Sequence, residues 1–345
     1  MHDWALERIL NDHPFSVGCL AWSKDDSILL TSADNFIQLW DTRTGECKRR
    51  LEQHSDTVTA LAWLPDGSGF ISGGLDYNIL HWDADGNLRD KWAATSIRVT
   101  DLAITPDFAR LVTVGMHQLP VSIESLPGRD VQSGDAAAAG AAASRASENR
   151  MIIYDLATKQ VESTIRLDGE LTSVKVSQDS RFALINHAPD EIHLWDLDAA
   201  RLSRKFTGQK QGRHVIRSCF GGHDGNFVVS GSEGASYFCS MHLYLDAASD
   251  MITDMIDGNV YVWHRDTGTL VEVLSGHGEG SVNSVAWNPQ NYQMFASCSD
   301  DHTIRIWEAP PEMMIEESLP AQSFAENGNG KGKTRQRWDG EGLEI

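Results

Sequence analysis

One phrase recurs along this chain: a β-rich run that ends on an aromatic residue, followed by an acidic or polar residue and a turn. It reads FIQLWDTRTGE at Trp40-Asp41, NILHWDADGN at Trp82-Asp83 and MIIYDLAT at Tyr154-Asp155. It returns as EIHLWDLD at Trp195-Asp196, NVYVWHRDTG at Trp263-His264 and TIRIWE at Trp307-Glu308. The six aromatic anchors are spaced 42, 72, 41, 68 and 44 residues apart. Self-similarity at such a period means one supersecondary unit repeated, each unit burying its faces only against its neighbours.

The interior of each unit repeats as well. Segments such as Val58–Trp63 (VTALAW) and Val282–Trp287 (VNSVAW) alternate as half-buried strands do. Turn residues follow in LPDGS, TPDF, GHDGN and NPQN, then a second strand such as FISG at 70–73. The third strand carries the aromatic anchor and a fourth follows the next turn. No helical period of any length competes. About 40–45 residues and four strands per unit is the size of a propeller blade, so the fold expected is all-β, with six blades stacked around an axis.

Two of the spacings are too long. Between Tyr154 and the preceding anchor, residues 117–149 include the Ala/Gly/Ser-rich stretch SGDAAAAGAAASRASEN, expected as a flexible loop rather than an Ala-rich helix. In the fifth unit, Ser230-Gly231-Ser232-Glu233 should run straight into an aspartate. Removing the 23 residues Gly234–Ile256 joins Glu233 to Asp257 and shortens the spacing from 68 to 45. That piece reads as a translated intron or as a surface loop. Residues 310–345 are expected to be disordered.

In two units the residues resemble WD-repeat β-propellers closely. His54, Ser72, Asp76 and Trp82, and again His277, Ser297, Asp301 and Trp307, stand at the four positions of that family's structural hydrogen-bonded tetrad. A buried indole N–H needs an acceptor, and a Ser–His–Asp relay supplies one. Residues 4–10 match the fourth strand of a blade. Either this stray strand completes the last blade of a six-bladed ring, or the chain is a truncated seven-bladed propeller whose first blade lies upstream.

The last third narrows the likeness. FTGQKQGRHVIRSCFGG at 206–222, FVVSGSE, and SVNSVAWNPQNYQMFASCSDDHTIRIWE resemble the WD-repeat scaffold subunits of GID/CTLH ubiquitin-ligase complexes. FALINHAPDEIHLWDLD at 182–198 fits the same group. Those subunits carry LisH and CTLH helical modules ahead of a seven-bladed propeller, and neither module is present in these 345 residues. The resemblance implies a non-catalytic scaffold in cytoplasm or nucleus that contacts substrate proteins and other ligase subunits.

The Ser/His/Asp sets could be read as hydrolytic triads, but they recur at matching positions beside a tryptophan and no G-x-S-x-G elbow accompanies them. His214, Cys219 and His223 lie close together, yet alternation along HVIRSCF divides such side chains between two faces, so no zinc site is expected. GNGKGKT at 328–334 has one residue too few between glycines for a phosphate loop. Lys331, Lys333, Arg335 and Arg337 form a weak basic cluster in the same tail. No cofactor or metal is expected. With 49 acidic and 29 basic residues the net charge is −20, which disfavours nucleic acid and anionic membrane surfaces. Five scattered cysteines with no C-x-x-C pair suit a reducing compartment. Candidate anchors for a partner protein are Arg98, Arg213, Arg217 and Asn283, placed in loops at the ends of blades. Arginines on an acidic molecule suit a carboxylate-bearing peptide.

Overall fold

The computed structural model describes residues 10, 13–92, 95–118, 147–212, 214–234, 258–278 and 280–309. They form 23 strands in six antiparallel sheets and one 3-10 turn at His223–Gly225. The first sheet orders β1 (Val17–Trp22), β2 (Ile28–Ala33), β3 (Phe36–Asp41) and β4 (Cys47–Leu51) as a meander. The second repeats this with β5 (Val58–Trp63), β6 (Gly69–Gly74), β7 (Ile79–Asp83) and β8 (Leu88–Lys91). The third holds β9 (Ile97–Ile104), β10 (Arg110–Gln118), β11 (Ser147–Asp155) and β12 (Val161–Leu167).

The fourth sheet comprises β13 (Glu170–Val176), β14 (Phe182–Ala188), β15 (Glu191–Asp196) and β16 (Arg201–Thr207). In the fifth are β17 (Cys219–Gly221), β18 (Phe227–Ser230), β19 (Val260–His264) and β20 (Leu270–Leu274). The sixth has three strands among the described residues: β21 (Val282–Trp287), β22 (Met294–Ser299) and β23 (Ile304–Glu308). Each sheet is one blade. Residues 1–181 with 197–200 make one compact unit, and residues 182–196 with 201–345 make the other.

Both long spacings fall between a second and a third strand. β10 and β11 pair in unbroken register from Arg110↔Asp155 to Gln118↔Ser147, so the two ends of the 117–149 stretch are ladder rather than loop. The rest of that stretch, residues 235–257, residues 1–9 and the tail from 310 lie outside the described residues.

The turns show why the sequence punctuates itself with acids. Between first and second strands, Asp25, Asp66, Asp107 and Asp179 each accept the backbone N–H two residues on, and Asn291 does so in the last blade. A short side-chain acceptor that mimics a turn's carbonyl is what makes Asx residues initiate turns. The acid after the aromatic anchor has the same work one turn later. Asp41 Oδ1 accepts from the N–H groups of Arg43 and Thr44, both at 3.0 Å, and Asp155 Oδ1 accepts from Thr158 N–H. Where the fifth blade has His264 instead, its Nδ1 accepts from Thr267 N–H at 3.2 Å.

The core lies between successive sheets. Leu30, Ile37, Leu39 and Leu51 of the first blade meet Val58, Phe70, Leu80 and Trp82 of the second. Phe227, Val229, Val260, Val262 and Leu274 of the fifth blade meet Val282, Val285, Phe295 and Trp307 of the sixth. Each such large side chain contributes roughly 1.5–3 kcal/mol on burial. Gly221 is part of this second interface: any Cβ there would collide with the Trp287 indole, which stacks between Phe227 and Phe295. Its neighbour Gly222 has φ of 77°, a region that favours glycine. The run CFGG is therefore shaped by an aromatic ring from the next blade.

Candidate functional site

Two buried polar relays organise the blades. Trp82 Nε1–H donates to Ser72 Oγ at 2.9 Å, and the Ser72 hydroxyl lies 2.8 Å from His54 Nε2. His54 Nδ1 stands 3.0 Å from both oxygens of Asp76. In the sixth blade the same path runs from Trp307 Nε1 to Ser297 Oγ (2.8 Å), His277 Nε2 (2.6 Å) and Asp301 Oδ2 (2.9 Å from Nδ1). Burial pushes the His54 and His277 pKa values down against the opposing pull of Asp76 and Asp301. The rings are therefore neutral at pH 7, with Nδ1–H donating to the carboxylate and Nε2 accepting from the serine. Burial alone would raise Asp76, but hydrogen bonds from Asn78 and Ser55 and the neighbouring His54 outweigh it and leave its pKa lowered.

This geometry has the order of a hydrolytic triad without its accessibility. Ser72 is fully buried, and its oxygen is already occupied by the Trp82 indole. A substrate carbonyl has no approach to such a hydroxyl, whose bonds hold a strand in place.

The other blades vary the theme. In the first, Trp40 donates to Thr31 Oγ1 at 2.8 Å and His13 Nε2 lies 3.0 Å from the same oxygen. Tyr154 takes the anchor position of the third blade, and burial pushes its phenol up to about 12. In the fourth, the register sets Ala183 opposite Trp195 and Ile185 opposite His193, so isoleucine stands where Ser72 stands opposite Leu80. The Trp195 indole N–H accordingly has no partner among the described residues. Trp263 of the fifth blade donates instead to the Thr207 carbonyl at 3.3 Å.

Of the anchors expected for a partner protein, Arg98 belongs to the first compact unit and Arg217 and Asn283 to the second. Arg98 is the second residue of β9 rather than a loop residue; its guanidinium donates to the Leu75 carbonyl and to Asp56 Oδ2, both at 3.3 Å. Asn283 likewise lies in a strand. It is the extra residue of a β-bulge between Val282 and Ser284, a device that re-aims a side chain, and it donates to Asp300 Oδ1 at 2.6 Å. Arg217 joins it: the Arg217 N–H donates to the Asn283 carbonyl at 3.0 Å, and Arg217 bridges Ser284 in parallel register. The Arg217 backbone thus meets the start of β21, where the Asn283 side chain is tied to Asp300. Arg213 lies outside the described residues, as do the glycine-rich and basic segments of the tail.

His214, Cys219 and His223 do not converge. His214 Nε2 faces Glu233 at 3.7 Å, whereas His223 bonds Asp224 at 2.8 Å and packs edge-on against Tyr292. A different set of donors does come together: His187, Glu191 and His193 place one ligand atom each within 4.8 Å of one another. Sequence reasoning passed over them because the separations 187–191–193 match no familiar metal motif. The turn Pro189-Asp190 between two alternating strands was the signal that would have paired them.

Comparison with known proteins agrees with this geometry. The WD domain, G-beta repeat profile matches residues 4–41, 45–83 and 268–308. Over 162 residues the chain is 38% identical to GID complex subunit 7 of Schizosaccharomyces pombe, covering 47% of this chain and 27% of that protein. It is 41% identical over 162 residues to the WD repeat-containing protein WDS homolog of Arabidopsis thaliana, covering 47% of this chain and 26% of that one. A WD repeat-containing protein 26 homolog of the same plant is 39% identical over 148 residues, or 43% of this chain and 21% of its own length. The chain thus matches about a quarter of the length of these relatives. Among the described residues no helix is long and apolar enough to cross a membrane. Repeats, tetrads and six four-strand or three-strand sheets converge on one statement: the chain carries WD40 repeats on an all-β fold of six propeller blades.

Proposed function

We propose that this chain is a non-catalytic protein-interaction scaffold that works as a subunit of a GID/CTLH-type ubiquitin-ligase complex. The observation that carries the reading is the 38% identity to GID complex subunit 7, alongside the resemblance of the segments around RSCFGG. Its role is to contact substrate proteins or their receptors and the other ligase subunits, in the cytoplasm or the nucleus. Arg217, Asn283 and Arg98 are the proposed contact residues, with Arg213 beside Arg217 in sequence. A rigid β scaffold presenting polar groups at strand ends is the usual basis of such recognition, and arginine is favoured at binding hot spots. Neither nucleic acid nor membrane is a proposed partner, given the net charge of −20.

Size-exclusion chromatography with recombinant GID/CTLH core subunits tests this. Co-elution of the wild-type chain, weakened at least tenfold in Arg217→Glu, supports the ligase role. A second reading, a stand-alone adaptor for acidic peptides, is favoured by arginines such as Arg98 and Arg217 on an otherwise acidic molecule. It gains if the chain fails to co-elute yet binds a poly-glutamate peptide in a manner lost in Arg98→Glu.

A further inference from the structure

The β14–β15 hairpin builds a donor cluster from its register alone. His187 pairs with Glu191 and Ile185 with His193 across the two strands. Cross-strand partners share a face, and so do residues two apart on one strand. His187, Glu191 and His193 therefore project from the same face of the sheet, and Lys205, paired with His193 on β16, joins them. The two imidazoles stack with centroids 4.4 Å apart. Glu191 Oε2 lies 2.7 Å from His193 Nε2 and accepts from Lys205 Nζ at 2.8 Å.

A comparison inside the molecule shows what is unusual here. His54 and His277, which hold the fold, have both ring nitrogens partnered. His187 and His193 are only 8% and 5% exposed, yet Nδ1 of each is buried with no hydrogen-bond partner among the described residues. Leaving a buried polar atom unpaired costs about 1–3 kcal/mol. Two half-satisfied rings stacked beside a carboxylate are poor structural economy and a serviceable ligand set.

We propose that His187, His193 and Glu191 bind a divalent transition-metal ion of the zinc class. Two imidazole nitrogens with one carboxylate oxygen suit Zn2+ or Co2+, whereas Mg2+ and Ca2+ favour all-oxygen sets. Burial pushes both histidines toward the neutral form that metals require, and Lys205 with His193 holds Glu191 down at about 2, hence ionised. Around a tetrahedral ion with bonds of about 2.0–2.1 Å, neighbouring donors stand roughly 3.3 Å apart. To hold an ion, the His193–Glu191 contact must open slightly and separations of up to 4.8 Å must close by side-chain rotation. Lys205 then remains as an outer partner of Glu191, and a fourth coordination position stays open.

The test uses the untagged full-length chain, stripped with chelator and titrated with Co2+ and with Zn2+. One ion per chain is expected by calorimetry, with visible Co2+ absorption of a low-coordinate site. Affinity should fall at least tenfold in His193→Ala and in His187→Ala, and less in Lys205→Met. No stoichiometric binding, or binding that survives the double histidine variant, overturns the proposal. Should the variants fail to fold, X-ray absorption on the zinc-loaded wild type decides: two imidazoles in the first shell support the site, and fewer overturn it.

Discussion

The Trp307 indole donates to the Ser297 hydroxyl at 2.8 Å, and Trp82 makes the same bond to Ser72 at 2.9 Å, in blades separated by more than two hundred residues of chain. In both, the serine oxygen is the acceptor that pairs a buried indole N–H among the described residues, and it simultaneously serves a histidine tied to an aspartate.

Ser72→Ala should therefore destabilise the fold by about 1–3 kcal/mol, since it strands Trp82 N–H and His54 Nε2 together. Adding Trp82→Phe to that variant should cost less than Trp82→Phe does alone, because the stranded donor is removed. Urea melts of the double-mutant cycle measure this coupling; strict additivity would contradict the relay.

Acid should weaken the protein before its carboxylates titrate. His54 and His277 are neutral in the fold with lowered pKa values, while the unfolded chain binds protons near the ordinary value of 6.5. The unfolded state thus holds more protons, so stability rises with pH over this window. Their contribution is fully present above about 6.5 and is lost as pH falls toward the folded values. Each adds at most ~1.4 kcal/mol per pH unit to the slope. Thermal melts at pH 7.5 and 5.5 should show a lower apparent Tm at the acid end. His277→Gln should shallow the dependence.

Ile185→Thr should be better tolerated than its polarity suggests. Threonine already takes this position in the first blade, where Thr31 accepts from Trp40. A buried hydroxyl beside the unpartnered Trp195 N–H gains a donor at once. The expected stability lies within about 0.5 kcal/mol of Ile185→Val, which removes a similar volume, rather than the 1–3 kcal/mol below it that an unpaired hydroxyl costs.

Excision of Gly234–Ile256 should raise the apparent Tm. It sets Asp257 four residues after Ser230, the spacing that separates Asp76 from Ser72 and Asp301 from Ser297. Joining β18 to β19 by a short turn also lowers the entropy of loop closure. A fall in Tm would mean the segment is an integral part of the blade.

The blades were legible because their signals are local and repeated: Asx residues two before a turn amide, an acid after five of the six anchors, apolar alternation between. The tetrads were legible because a buried indole announces the need for an acceptor. What stayed hidden depends on register between strands. Asn283 read as a loop residue because a bulge leaves no trace in composition, and it acquires its direction only from the Val282–Ser284 irregularity; Arg98 read as one because the sequence does not mark where β9 begins. His187, Glu191 and His193 stayed hidden because their meeting depends on which residue of β14 faces which residue of β15. Gly221 was conspicuous as part of CFGG, but the Trp287 ring that demands it lies 66 positions along the chain.

Ile185 has one consequence beyond the orphaned indole beside it. The relays at Ser72 and Ser297 share no residue, so losing one leaves the other intact. A structure with several equivalent fastenings tolerates the release of one, and the face so released is free to acquire chemistry. The fourth blade lacks that hydroxyl, and the same face carries two imidazoles and a carboxylate. Redundancy among the repeats is what gives a single repeat room to diverge.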